Sequence, residues 1–140
     1  MIKIYFAGSI TGGRGDQEIY FELINHLKTK GRVLTEHLAN SNLSSYGETH
    51  ISLEEIYTRD VNWIKEADII IAEVTQVSLG VGYELGFAES LGKKIYCFYR
   101  EKEETRLSAM ISGNSRIKVI KYKTIIQAIE EINKIFSELK

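Results

Sequence analysis

The sequence predicts an α/β domain, a three-layer sandwich around a five-stranded parallel sheet in the order 2-1-3-4-5. Three observations lead there. Apolar runs of strand length alternate with amphipathic stretches of helix length along all 140 residues. Four of the five runs are rich in Ile, Val, Tyr or Phe without strict alternation, as strands covered on both faces should be. The length and the 44% hydrophobic content suit one domain, residues 1–140, with a core of its own. Five strands joined by right-handed crossovers make the flavodoxin-like, Rossmann-like order the expected one.

The first strand is 3–7, the run Lys3-Ile4-Tyr5-Phe6-Ala7. A glycine-rich loop leads to a helix over 16–30, in which Tyr20, Leu23, Ile24 and Leu27 form one apolar stripe. Gly31 then stands where a helix C-terminal glycine is expected. The second strand, 32–36, is followed by a segment of unusual length, 37–51, which the connection statistics mark as functional or mobile. The helix over 52–67 carries Leu53, Ile56, Tyr57 and Ile64 on one stripe. The third strand is 68–74, and a loop over 75–80 feeds a helix over 81–91 that Gly92 terminates. The fourth strand, 94–98, contains Cys97, which reads as a small core residue. The fifth strand, 116–122, runs into a last helix over 123–139 with Ile125, Ile129, Ile132 and Phe136 on its inner face.

Composition narrows the function. Lys and Arg number 18 and Asp and Glu 19, a net charge of −1, which gives no electrostatic case for nucleic acid or an anionic membrane. No apolar run approaches the ~18 residues of a membrane span. A single cysteine forms no internal disulfide, and the chain opens directly on its first strand without a leader pattern, so a cytoplasmic location is expected. His26, His37 and His50 lack metal-ligand spacing, so no metal site is expected.

In open α/β sheets the ligand crevice lies beyond the C-terminal strand ends, beside strand 1. Four segments converge there: 8–15, 37–51, 75–80 and 100–113. The first reads Gly8-Ser9-Ile10-Thr11-Gly12-Gly13-Arg14-Gly15. Its glycines allow close backbone approach, and it feeds a helix N-terminus whose N–H groups can hold an anion. It matches neither the dinucleotide fingerprint nor the Walker loop, so a glycine-rich turn without ligand is the alternative. His37, at the mouth of strand 2, reads either as a contact to a substrate base or as a solvated loop histidine.

Two carboxyls carry the sharper signal. Asp60 lies seven residues after Leu53 and so falls on the apolar stripe of its helix. An unpaired carboxylate there costs several kcal/mol or takes up a proton. Arg59 and Lys65 belong to other faces of an ideal helix, so pairing is the lesser expectation. A carboxyl of raised pKa facing a crevice is what a general acid requires. Glu84 follows the helix N-terminus at Ser78-Leu79-Gly80, where the dipole favours its ionised form. A lone glutamate there is usually a first-turn stabiliser. Gly82 and Gly86, however, weaken the helix by roughly 1 kcal/mol each and imply close packing or ligand approach. One neutral and one anionic carboxyl in a crevice is the division of roles that glycosidic cleavage needs.

These residues resemble a known family over nearly the whole chain. Tyr5-Phe6-Ala7-Gly8-Ser9-Ile10 with Gly12-Gly13-Arg14, and Leu34-Thr35-Glu36-His37, resemble its first half. Ala72-Glu73-Val74-Thr75-Gln76, Ser78-Leu79-Gly80-Val81-Gly82-Tyr83-Glu84-Leu85-Gly86 and Leu107-Ser108-Ala109-Met110-Ile111 resemble its second. The family is that of the nucleoside 2-deoxyribosyltransferases, in its branch of 2′-deoxynucleoside 5′-monophosphate N-glycosidases. The resemblance implies that Glu84 is the nucleophile, Asp60 the acid that assists departure of the base, and Tyr5 the residue that positions the glutamate and crowds the sugar 2′ position. It places Ser78 and Gly80 at the 5′-phosphate, Gly8 to Arg14 in the first substrate loop, and Tyr20 and His37 near the base or sugar. Met110 belongs to the same family motif as Ser108 and is included among the substrate-binding residues. Ser108 corresponds to a serine given to the phosphate by a neighbouring subunit, which implies a homodimer. Thr11 stands where better-known hydrolases carry arginine. No cofactor is implied.

The expected activity is therefore hydrolysis of the N-glycosidic bond of a small-molecule deoxynucleoside monophosphate. A transferase acting on free nucleosides is the nearest rival; it resembles this chain but carries a carboxylate at the position of Ser78, which would repel a phosphate dianion. A flavin-binding electron carrier, suggested by Ser9-Ile10-Thr11-Gly12, and a nucleotide sensor without turnover are the rivals from other classes.

Overall fold

Five parallel strands form one sheet in the order β2-β1-β3-β4-β5 in a computed structural model that describes residues 1–9, 16–39, 48, 50–101 and 106–139. The strands are β1 (Lys3–Ala7), β2 (Arg32–Val33), β3 (Ile69–Glu73), β4 (Lys94–Arg100) and β5 (Ile117–Tyr122). The helices are α1 (Gln17–Leu27), α2 (Leu53–Glu66), α3 (Leu79–Ser90), the single turn α4 (Ala109–Ser112) and α5 (Ile125–Glu138). The expected order and class are the observed ones.

Side chains that alternate along the strands divide the core into two layers. Ile4, Phe6, Ile69, Ile71 and Phe98 pack with Tyr20, Leu23, Ile132 and Phe136 of α1 and α5. Tyr5, Ala7, Ile70, Ala72 and Cys97 pack with Ile64 of α2 and Val81, Leu85 and Ala88 of α3. Cys97 is fully buried, and burial pushes its thiol up to about 12. The predicted stripe of α1 is the buried one; on α5 Ile132 and Phe136 are buried as expected, but Ala128 and Ile135 complete the inner face and Ile125 and Ile129 are only partly covered.

Three boundaries differ for local reasons. β2 stops at Val33 and not at Glu36, because the Thr35 side chain replaces the ladder. Its hydroxyl accepts from the Phe6 N–H at 2.9 Å and donates to the Phe6 carbonyl at 2.7 Å, and a 3₁₀ turn over Glu36–Ala39 follows. β4 runs on to Arg100, paired with Tyr122 of β5. α3 starts two residues earlier than expected, at Leu79, where Ser78 caps it by accepting from the Val81 N–H at 3.2 Å. Ser52 and Thr124 close capping boxes at the starts of α2 and α5.

The two candidate terminator glycines differ. Gly92 has φ +72°, the left-handed geometry that favours glycine. Gly31 does not; a Cβ there would lie 2.3 Å from the Ile2 carbonyl oxygen, so glycine serves the close passage of α1's exit against the start of β1. Among the described residues no helix is long and apolar enough to cross a membrane, and no group of three His, Cys, Asp or Glu side chains is placed to hold a metal ion.

Candidate active site

β1 is flanked by β2 and β3, so its C-terminal end opens at the switch point of the sheet. Tyr5 points to the α2–α3 side, as its place in that core layer shows. From there its phenol donates a hydrogen bond to Oε2 of Glu84, which α3 brings down onto the strand ends. Asp60 faces the same space from α2. A cavity of about 340 Å³ is lined by Gly8, Asp60, Ser78, Gly80 and Glu84, with apolar walls from Ile56, Val61, Ile64 and Val81. A smaller void of about 30 Å³ brings Tyr5, His37, Asp60 and Glu84 together on the inner side.

Burial governs the ionisation of the two carboxyls. It pushes Glu84 up to about 7, against the lowering effect of the Tyr5 hydrogen bond and with a smaller contribution from the charge of Asp60. The expectation that the α3 dipole keeps Glu84 ionised is therefore corrected: Glu84 lies in the second turn of α3, where the dipole has faded, and desolvation prevails. Asp60 is also raised by burial, while the hydrogen bond and charge of Arg59 pull it down. Tyr5 is held far above the ordinary phenol range by burial and by the charges of Glu84 and Asp60, so it remains a donor.

Asp60 is not the unpaired stripe residue of the sequence argument. Arg59 Nε donates to its Oδ1 at 2.9 Å. Helix-face reasoning placed Arg59 elsewhere, but a four-bond side chain folds back across one position, and Glu48 draws its outer edge round to this side at 2.6 and 2.7 Å. The stripe is also less buried than expected: Leu53 is 80% and Tyr57 56% exposed at the cavity mouth, and only Ile64 of that set lies in the core. Glu48 and Arg59 are the site residues that sequence reasoning missed. Glu48 lies in the long segment after strand 2, whose length was the signal.

The remaining candidates separate. Ser78 and Gly80 stand at the cavity, with the Ser78 hydroxyl hydrogen free to donate while its oxygen caps α3. His37 reaches the inner void from the 3₁₀ turn, 3.5 Å from Glu48 and beside the Trp63 ring. Tyr20 does not line the cavity: it is 1% exposed, its ring lies under Gly8, where a Cβ would meet it at 3.0 Å, and its hydroxyl accepts from the Ser9 N–H at 3.0 Å. It supports the first loop from beneath. Ser108 caps α4 by accepting from the Met110 N–H at 3.2 Å and lines a separate hollow of about 810 Å³; Met110 is 79% exposed. Neither Ser108 nor Met110 lines the Glu84 cavity of its own chain. Ile10, Thr11, Gly12, Gly13 and Arg14 lie outside the described residues. At Gly82 and Gly86 a Cβ would meet no atom of the described residues within 4 Å, so among these residues the two glycines face open space.

A carboxyl bonded to a phenol, with a second carboxyl across an apolar cavity and a capped helix start beside them, can attack an electrophilic carbon while a proton passes to the leaving group. Comparison with known proteins gives the same chemistry a family context. The family model described as nucleoside 2-deoxyribosyltransferase matches residues 4–130. The 5-hydroxymethyl-dUMP N-hydrolase of Rattus norvegicus is 48% identical over 124 residues, which cover 86% of this chain and 76% of that protein. The Homo sapiens protein of the same name is 44% identical over 124 residues, 86% of this chain and 71% of its own length. Among solved structures, the Clostridium botulinum CMP N-glycosidase has a TM-score of 0.67 at 22% identity, covering 94% of this chain and 98% of that one, and shares the fold.

Proposed function

The chain belongs to the nucleoside 2-deoxyribosyltransferase family, and from that membership we propose that it hydrolyses the N-glycosidic bond of 2′-deoxynucleoside 5′-monophosphates, releasing the base and 2-deoxyribose 5-phosphate. The observation that carries the reading is the Tyr5–Glu84 hydrogen bond at the base of an apolar cavity that Asp60 also faces. It is supported by the names of relatives that are N-hydrolases of such a nucleotide.

In this reading a Glu84 carboxylate oxygen attacks C1′ while Asp60 gives its proton to the departing base. The glycosyl ester is then opened by water, whose proton returns to Asp60. Proton balance requires one proton between the two carboxyls, and the burial that raises both favours keeping it there. The 5′-phosphate meets the Ser78 hydroxyl and the N–H groups of the first turn of α3, a helix-terminal anion site with no carboxylate at the Ser78 position to repel it. Incubation with the four deoxynucleoside monophosphates and their nucleosides, followed by assay of free base, tests the reading. Release from nucleotides alone is expected; transfer of deoxyribose from a nucleoside to a second base would favour the transferase.

The Tyr5 phenol aims the nucleophile and crowds C2′. Tyr5→Phe is expected to lower turnover on deoxynucleotides by one to two decades, the cost of a lost positioning hydrogen bond. The ratio of ribonucleotide to deoxynucleotide turnover should rise; an unchanged ratio removes the steric role.

The reading includes a homodimer in which Ser108 of one protomer completes the phosphate site of its partner. Its support is that Ser108 lies outside its own chain's cavity, while exposed apolar residues, Leu53, Leu79, Tyr83 and Met110, together with the open Gly82 and Gly86, offer α2, α3 and α4 for a second copy. Hydrogen bonds to a charged group contribute roughly 1.5–3 kcal/mol, so Ser78→Ala and Ser108→Ala should each raise KM for nucleotides by one to two decades and leave nucleoside binding unmoved. Excess Glu84→Ala protomers, which keep Ser108, should rescue Ser108→Ala protomers on mixing. Subunit exchange without rescue would refute the donation.

A further inference from the structure

We propose that Arg59 is a positioning residue of this site: gripped by Glu48 on its outer edge, its guanidinium holds the Asp60 carboxyl on its inner edge and controls when that carboxyl gives up or takes back a proton. The proposal rests on the reading of Asp60 as the acid. The geometry is that of a fork with both edges used. The two terminal nitrogens donate to the two oxygens of Glu48 at 2.7 and 2.6 Å, and Nε donates to Asp60 Oδ1 at 2.9 Å. The guanidinium carbon lies 4.7 Å from the centre of the Trp63 ring, one turn further along α2, which fixes the plane of the fork. Glu48 and Arg59 side chains are 8% and 25% exposed, so water screens this cluster only in part.

Among the described residues, Asp60 is thus faced by a titratable or charged group from each neighbouring element. Arg59 stands beside it on α2, His37 comes from the 3₁₀ turn and Glu48 from the segment before α2, while Glu84 and Tyr5 approach from α3 and β1. Arg59 favours the carboxylate. Glu48, paired with Arg59, weakens that pull and adds a negative charge of its own. A general acid that must also act as a base needs this intermediate hold: an unopposed arginine would strip its proton, and no arginine would leave it protonated when water has to be activated. His37, 3.5 Å from both Glu48 and Arg59, ties the cluster to the strand 2 side of the cavity.

Arg59 and Glu48 then have opposite effects on Asp60, which a merely structural cluster would not show. The measurement is the titration of the Asp60 carboxyl carbon by NMR in the 140-residue chain, alongside the pH profile of kcat on a deoxynucleoside monophosphate. Arg59→Gln is expected to raise the Asp60 midpoint by about one pH unit and to carry the alkaline limb of kcat up with it. Glu48→Gln is expected to move both downward. Arg59→Lys, which keeps the charge and loses the fork, should restore most of the midpoint but not the turnover. Loss of turnover at every pH in Arg59→Gln with an unmoved Asp60 midpoint would overturn the proposal and leave Arg59 as packing on Trp63. If the wild-type protein releases no base from any nucleotide, the catalytic reading fails by itself, and the titration still decides whether Arg59 governs Asp60.

Discussion

Glu84→Gln is expected to lower base release from deoxynucleoside monophosphates by at least about three orders of magnitude while substrate still binds. The amide keeps the volume of the side chain and an acceptor for the Tyr5 phenol, so the site should stay assembled. What it loses is the anionic oxygen, and among the described residues no other carboxyl bonds to Tyr5. Retention of a tenth of the wild-type rate would remove the nucleophile assignment. Stability supplies a second reading of the same variant. Burial raises Glu84 from 4.5 to about 7 in the folded protein, so its ionisation works against folding. That penalty is absent below about pH 4.5 and develops fully as pH rises through about 7. Glu84→Gln should therefore be more stable than wild type above pH 7, by about 3 kcal/mol, with the difference closing as pH falls towards 4.5. Chemical denaturation at pH 4.5 and pH 8 measures both ends.

Asp60→Asn is expected to lower turnover by two to four orders of magnitude, with the loss depending on the base. Asparagine can still accept from Arg59 Nε through its Oδ1, so the α2 side of the cavity should keep its shape, but it has no acidic proton for the departing base. Bases that leave readily as anions should suffer least, and poor leaving groups most. A uniform loss across bases of different acidity would argue that Asp60 positions substrate and does not protonate it. A strongly destabilised variant with normal turnover would make the Arg59–Asp60 pair a purely structural one.

The layers of this fold were legible because their signals are local. The apolar run of β3 reads as a strand covered on both faces, and the α1 stripe and the Ile132 and Phe136 positions of α5 mark the faces that meet the sheet. The position of the crevice followed from strand order, Asp60 and Glu84 stood out by their places on their helices, and Tyr5 was implied by the family resemblance alone. What the sequence concealed depends on side-chain reach and on non-local contacts. The Thr35 hydroxyl ends β2 by bonding to Phe6, 29 residues away. Gly31 is required by the Ile2 carbonyl and not by its own φ. Arg59 bonds Asp60 with one edge of its fork while Glu48 holds the other, a pairing that no periodicity encodes. The terminus of α3 suggested an ionised Glu84, but burial, a property of the assembled cavity, outweighs a dipole one turn removed. Glu73 shows the converse: a fully buried carboxyl at the end of β3, it alternates to the other face of the sheet, bonds to Tyr122 and Thr75, and takes no part in the cavity.

The covalent step is the centre of the account, and mass spectrometry of the protein quenched in acid during turnover of a slow deoxynucleotide addresses it directly. A 2-deoxyribose 5-phosphate adduct is expected on the intact chain, localised to Glu84 in the peptide that spans α3, lost again as turnover finishes, and absent from Glu84→Gln. Base release at the full rate with Glu84 unmodified throughout, or an adduct on any other residue, would contradict it.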